Sequence, residues 1–277
     1  MKAATFPKIV RRCLILSLQV RELPRDLIQS VKINRTSPSA NPRVLVIVHA
    51  FWAKEFEYIL KKINKIGLPL TIQVTVPDGP DSNTIRNLGK SVAARHELTF
   101  IECTNSGRDI GPFLKVLGNV DFHDFTMIIK VHTKRSQRFW FESLVNSLLK
   151  DEKRIRKIDN ALKTIDVGIV AHPLFKYPGK LLRKEFLDFS DFDAKTLKSE
   201  WFFPAGSMYA IKPDLALHFY EVWKDSFFEE ESDYSQFTRA HIIERLVGTF
   251  TYNKGLRIIA TSPSDYLDLK GLLVKIT

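Results

Sequence analysis

From Arg43 onward the hydrophobic positions switch repeatedly between short unbroken runs and a spacing of three to four residues. Val44–Val48 and Phe125–Ile129 are apolar or β-branched throughout, the pattern of strands covered on both faces of a parallel sheet. Between them Phe56, Ile59, Leu60 and Ile63 recur at helical spacing within Glu55–Ile66, and Gly67 supplies a stop. A strand follows from Leu70 and ends in the turn Pro77-Asp78-Gly79. Ser82–Ala94 predicts a weaker helix, Leu98–Thr104 a third strand, and Asn105–Leu117 a loop opening into a short helix. The order β-α-β-α-β-α-β with short connections predicts an α/β fold with a mostly parallel central sheet. Right-handed crossovers then place helices on both of its faces.

The pattern continues beyond Arg138 with helices over Phe139–Lys150 and Asp151–Thr164 and a strand over Val167–Phe175. Lys176–Glu200 is polar and aromatic with little periodicity, and reads as a variable insertion or lid. The block Phe203–Pro213 precedes a helix over Leu215–Trp223. An acidic run, Phe228–Asp233, leads into a helix that contains His241, Glu244 and Arg245, and a last strand covers Leu256–Ala260. No repeat is visible.

The first 40 residues differ. The apolar run Cys13–Val20 includes Ser17 and Gln19 and is too short for a membrane span. Ile9, Leu14, Ile15 and Leu18 share a helical face with Lys8, Arg11 and Arg12 nearby. Such a helix either rests on an anionic membrane surface or packs on its own domain. Asn34–Pro42 is a polar linker. The expected organisation is a basic amphipathic arm and linker over 1–40 and one domain over 41–277.

At 277 residues, with 44% hydrophobic and 26% charged positions, the composition is that of a folded protein. A net charge of +11 points to an anionic partner. Cys13 and Cys103 have no metal or redox spacing and read as free thiols of a reducing cytoplasm. Nucleic acid is disfavoured as that partner: no recognisable module is present, and the aromatics lie within apolar runs.

Ligands of open α/β sheets sit outside the carboxyl ends of the strands. Those ends offer His49, Asp78, the turn Gly107-Arg108-Asp109, and Lys130, His132 and Lys134 in KVHTKRS. Gly107 permits close backbone approach, and Arg108 presents a planar fork suited to phosphate. Asp109 either joins the site, pairs with Arg108 or caps the helix that follows. Four cations (Arg108, Lys130, Lys134, Arg135) against Asp78 and Asp109 favour a diphosphate over a divalent metal, which requires clustered carboxylates.

The segments NSGRDIGPFL, KVHTKRS, FPAGSMYAIKP and AHIIERLVG, in this order between Val44 and about Gly255, resemble the rhamnan synthesis F protein family of bacterial rhamnosyltransferases. The broader similarity is to GT-A glycosyltransferases with a Rossmann-like sheet. The resemblance implies a hexosyltransferase of cell-wall or O-antigen-type polysaccharide assembly, inverting, with dTDP-L-rhamnose as donor. The acceptor would be a saccharide or lipid-linked saccharide, met in the cytoplasm or at the inner face of its membrane. Asp78 then corresponds to the strand-end Asp that reads the base, and Lys130 and His132 stand where GT-A enzymes carry Asp-x-Asp. That departure implies that no divalent metal or other cofactor is required, with Arg108, Lys130 and His132 holding the diphosphate. For the base the resemblance points to Asp233, with Glu231 next and Glu244 as a further catalytic candidate. His241 and Glu244, one helical turn apart, either line the acceptor site or serve local ion pairing. Gly206, Ser207 and Met208 would shape the acceptor pocket. Two other readings remain at this stage: a sugar-binding relative without catalysis, and, less favoured, a nucleic-acid-binding protein.

Overall fold

The computed structural model describes residues 41–135, 138–172, 175–176, 203–226, 228 and 238–261. The arm, Lys176–Glu200 apart from Lys176 itself, and Glu229–Asp233 lie outside the described residues.

Strands β1 (Val44–His49), β2 (Thr71–Pro77), β3 (Glu97–Cys103) and β4 (Met127–His132) pair in parallel, in the spatial order β3-β2-β1-β4. Chain order reverses between β1 and β4, which makes their carboxyl ends the switch point where a crevice opens. Helices α1 (Ala53–Ile63), α2 (Ser82–Gly89) and α3 (Ile110–Leu117) form the crossovers. Then come α4 (Arg138–Leu149), α5 (Glu152–Leu162) and β5 (Val167–Ala171). A short ribbon pairs β6 (Phe175–Lys176) with β7 (Phe203–Pro204), and β8 (Tyr209–Ile211) follows. Helices α6 (Pro213–Trp223) and α7 (Arg239–Asn253) and strand β9 (Arg257–Ala260) complete the domain.

The expected elements are present, and three short strands, β6, β7 and β8, are added to them. β8 lies between β4 and β5 and runs antiparallel to both, so the seven-stranded sheet is mostly rather than wholly parallel. Just before β8, Gly206 and Ser207 adopt φ of 88° and 56°, a left-handed turn. The strand expected over Val167–Phe175 also ends early, at Ala171.

Strand alternation divides the core in two. Val44, Val46, Val48, Met127, Ile129 and Val131 face α1, α4 and α5. Leu45, Ile47 and Ile128 face α3, α6 and α7. The period of two places His49, Lys130 and His132 on this second face, at the end where the apolar residues stop. In register Ile47 pairs with Lys130 and His49 with His132.

Candidate functional site

Lys130 is 2% exposed although it is charged. A lysine amine has three N–H groups, and here each has an acceptor. They donate to the Ser207 carbonyl at 2.7 Å, to Ser207 Oγ at 2.8 Å, and to Asp109 Oδ2 in an ion pair. The rings of Phe113 and Tyr209 lie 5.5 and 5.6 Å from the amine. Burial alone would push the Asp109 carboxyl up. The charge of Lys130, with His132 and hydrogen bonds from Lys130 and Ser207, outweighs it and holds the group below the usual carboxylate range.

This ion pair joins two unusual turns. Gly107 and Arg108 have φ of 72° and 52°, matching the Gly206-Ser207 pair in being consecutively left-handed. A Cβ on Gly107 would come within 2.7 Å of the Phe228 ring, and one on Gly206 within 2.7 Å of Leu144 Cδ1. At Arg108 and Ser207, which are not glycine, this backbone costs about 1–3 kcal/mol each. The bonds from Lys130 to the residue after one turn and within the other offset that cost.

Burial lowers the pKa of both strand-end histidines. Burial pushes His49 down to about 3, against the opposing pull of Asp109, and its Nδ1 lies 3.0 Å from Thr75 Oγ1. His132 is also lowered by burial. Asp109 opposes the shift, and Lys130 and Lys134 reinforce it. Its Nε2 and Nδ1 lie 2.9 and 3.1 Å from the Gly206 and Thr133 carbonyls. A neutral imidazole has one N–H, so it donates to only one of them.

Above this floor stand half-buried polar groups. Glu244 on α7 accepts the Gly206 N–H at 3.2 Å. Burial and the charge of Asp109 raise its pKa, against Lys134 and Lys130. His241 shares the Thr238 hydroxyl at 3.0 Å and is lowered to about 4 by burial, Arg108 and Arg245. Lys134, just past β4, carries a charge felt by His132, His241 and Glu244. These groups amount to a proton acceptor of raised pKa beside cations, over a rigid polar floor.

Several sequence expectations change here. Lys130 is not a cation held out to a ligand, because its amine is saturated within the protein. Burial disfavours the charged form of His49 and of His132, the pair expected to help hold the diphosphate. The Asp109 partner is Lys130, neither Arg108 nor the helix N-terminus, where no side-chain cap bond forms. Ser207 and Met208 are buried at 2% and 0%, so neither offers a surface to an acceptor. Asp78 is exposed beyond β2, where its charge acts on Cys103. Glu231 and Asp233 lie outside the described residues. The start of their run is nevertheless held at the site: Ser106 Oγ donates to the Phe228 carbonyl at 2.9 Å.

The reading of the sequence missed Thr133, Trp52 and Asp81. Thr133 Oγ1 accepts the backbone N–H groups of Phe51 and Trp52 at 2.9 and 3.2 Å, which ties the loops after β1 and β4 together. The Arg135 guanidinium lies 3.6 Å from the centre of the Trp52 ring and closes the same clasp. Asp81 Oδ2 accepts the Ala53 N–H and so caps α1 from the next loop. The adjacent aromatics straight after β1 were the available signal for the clasp.

The described residues at the end of β4 offer no open set of ligands to a divalent metal. A saturated lysine and a histidine with both ring nitrogens against backbone carbonyls stand there, and the one nearby carboxylate of the floor is committed to Lys130. Among the described residues no group of three His, Cys, Asp or Glu side chains converges.

The fold and this group of side chains define an α/β protein with a polar site at the switch point of its sheet. The chain belongs to the family of rhamnan synthesis protein F, whose model matches residues 16–256. It is 29% identical over 239 residues to the uncharacterized protein WxcX of Xanthomonas campestris pv. campestris strain B100, covering 79% of this chain. The protein of the same name from strain ATCC 33913 is 28% identical over the same length. The chain spans about a third of the length of these curated relatives, 32% in each case. Among solved structures it is similar to the galactosyltransferase LgtC in complex with donor and acceptor sugar analogs, at 10% identity and a TM-score of 0.39, covering 78% of this chain and 72% of the other. An active-site mutant of LgtC gives 11% identity and a TM-score of 0.42 with the same coverage.

Proposed function

We propose that this domain is a glycosyltransferase that moves a hexosyl group, L-rhamnose from dTDP-L-rhamnose, onto a saccharide or lipid-linked saccharide acceptor without a divalent metal. The observation that carries this is Glu244: a carboxylate of raised pKa, held against the Gly206 turn, with Lys134 close enough to act on it. A base is most effective when its pKa approaches the working pH. Lys134 and Arg108 would face the diphosphate across the crevice, as fixed charges that stabilise the leaving group. The exposed carboxylate of Asp78 and the Trp52 ring are the groups suited to the nucleoside.

The step balances as an inverting displacement. The bond from the anomeric carbon to the phosphate oxygen breaks, and its electron pair leaves with the diphosphate. The acceptor oxygen bonds to the anomeric carbon as positive charge develops on the ring. The acceptor hydroxyl proton passes to Glu244. Asp233 is the second candidate for this role, since Phe228, five positions before it, is anchored at the Gly107 turn. We place the reaction in the cytoplasm at the inner face of the membrane, with the basic arm resting on anionic lipid. Among the described residues no helix is long and apolar enough to cross a bilayer.

The test combines thermal shift and transfer assays in EDTA. dTDP should stabilise the protein there, and Glu244→Gln should lower turnover by about 10²–10⁴-fold with the dTDP shift kept. Stabilisation that requires magnesium or manganese would overturn metal independence. Full turnover in Glu244→Gln, with loss in Asp233→Asn, would move the base to Asp233.

A further inference from the structure

The start of α4 carries a second group of side chains that the transfer step does not use. Phe139 and Ser143 lie one helical turn apart with Trp140 beside them. Phe139 is 55% exposed, so its ring is open to a ligand. Trp140 is half-buried and meets the His172 ring edge-on, with centroids 5.1 Å apart. His172 follows β5 and is 4% exposed, and its Nε2 lies 2.7 Å from Ser143 Oγ. Burial lowers its pKa to about 4, so the ring is neutral at physiological pH.

The group carries little net charge. Arg138, the nearest cation on the helix, is paired with Glu142 at 2.7 Å. On a chain of net charge +11 this is a place suited to an uncharged ligand. It is also continuous with the candidate site. The backbone N–H of Gly206 goes to Glu244, and a Cβ on the same residue would come within 3.3 Å of Trp140 Nε1. One glycine therefore separates the proposed base from the indole.

We propose that Phe139, Trp140 and Ser143 form a saccharide subsite that holds a ring of the acceptor next to the one that reacts; this rests on the transferase reading. A pyranose has an apolar C–H face that packs on aromatic rings, and hydroxyls that pair with short polar groups such as Ser143. His172 fixes the Ser143 hydroxyl from behind and acts as a positioning residue.

The experiment measures binding of a rhamnose trisaccharide and of methyl rhamnoside to the full chain by calorimetry, alongside the dTDP thermal shift. Phe139→Ser removes an exposed ring and leaves the fold alone; Ser143→Ala is the second variant. Each should weaken trisaccharide binding or raise its KM, Phe139→Ser by roughly tenfold, with kcat, the dTDP shift and methyl rhamnoside affinity kept. Unchanged trisaccharide binding in both variants, with dTDP binding intact, would overturn the subsite and leave the transferase standing. Phe139-dependent trisaccharide binding without dTDP binding or transfer would keep the subsite and sink the transferase. If Phe139→Ser instead abolishes association with another protein and leaves sugar binding unchanged, the surface serves a partner and the proposal fails.

Discussion

Lys130 and Lys134 are the same residue type four positions apart, at the end of one strand and in the loop beyond it. Lys130 points inward from β4 and finds Asp109 and both the carbonyl and hydroxyl of Ser207. Lys134 lies past the strand, half-buried, and its charge reaches Glu244, His241 and His132. One cation holds two left-handed turns together, and the charge of the other acts on the polar groups above them. The difference is a matter of strand geometry. Inside the strand an amine must be satisfied by protein because water does not reach it. Beyond its end Lys134 is only half-buried, so its side chain keeps contact with water.

The comparison can be broken most directly at Lys130. Lys130→Met leaves the Asp109 carboxylate in a largely buried place without its cation, which destabilises by about 3–5 kcal/mol. Urea unfolding should register that loss. Unchanged stability with only dTDP affinity reduced would mean that Lys130 serves the ligand after all. Lys134→Ala is the sharpening counterpart. Removing one charge-assisted bond of about 1.5–3 kcal/mol should weaken dTDP binding by roughly 10–150-fold. Stability should stay within about 0.5 kcal/mol, as checked by calorimetry and unfolding on one sample.

The smallest effect concerns pH. His49 in the folded chain titrates at about 3, below its ordinary 6.5. Between these values the unfolded chain binds a proton that the folded chain refuses. The contribution of His49 to stability is therefore complete above pH 6.5 and falls as pH drops toward 3. The slope is about 1.4 kcal/mol per pH unit within that window. His172 and His241, each lowered to about 4, add slopes of the same sign. Asp109 is depressed as well, but its contribution fades only below the ordinary carboxylate range, so it does not obscure the measurement. Unfolding of His49→Gln between pH 4 and 7 should show one proton less taken up. An unaltered slope would show that the buried end of β1 accepts charge, and the contrast between floor and rim would weaken.

Much of this architecture was legible in the order of residues. Val44–Val48 and Phe125–Ile129 read as buried strands because an unbroken apolar run requires cover on both faces, and both are central. The loop-to-helix turn at Gly107 was visible from its residue types, and the grouping of polar residues at strand ends followed from the strand order. β8 was not legible as an antiparallel wedge. Three residues are too few to carry a period, and the left-handed backbone of Ser207 just before it is not written in a residue type that favours it.

The sequence by itself determined which of the longer strands form, which of their positions share a face and that cations gather at one end of the sheet. These follow from local periodicity and from charge, which neighbours in the chain suffice to define. Only the tertiary structure decided what each cation does. Lys130 meets partners 21 and 77 positions away, and whether an amine is saturated or open depends on those distant acceptors. Solvation, protonation and partnership are properties of a place in the folded molecule, and no spacing along the chain encodes them.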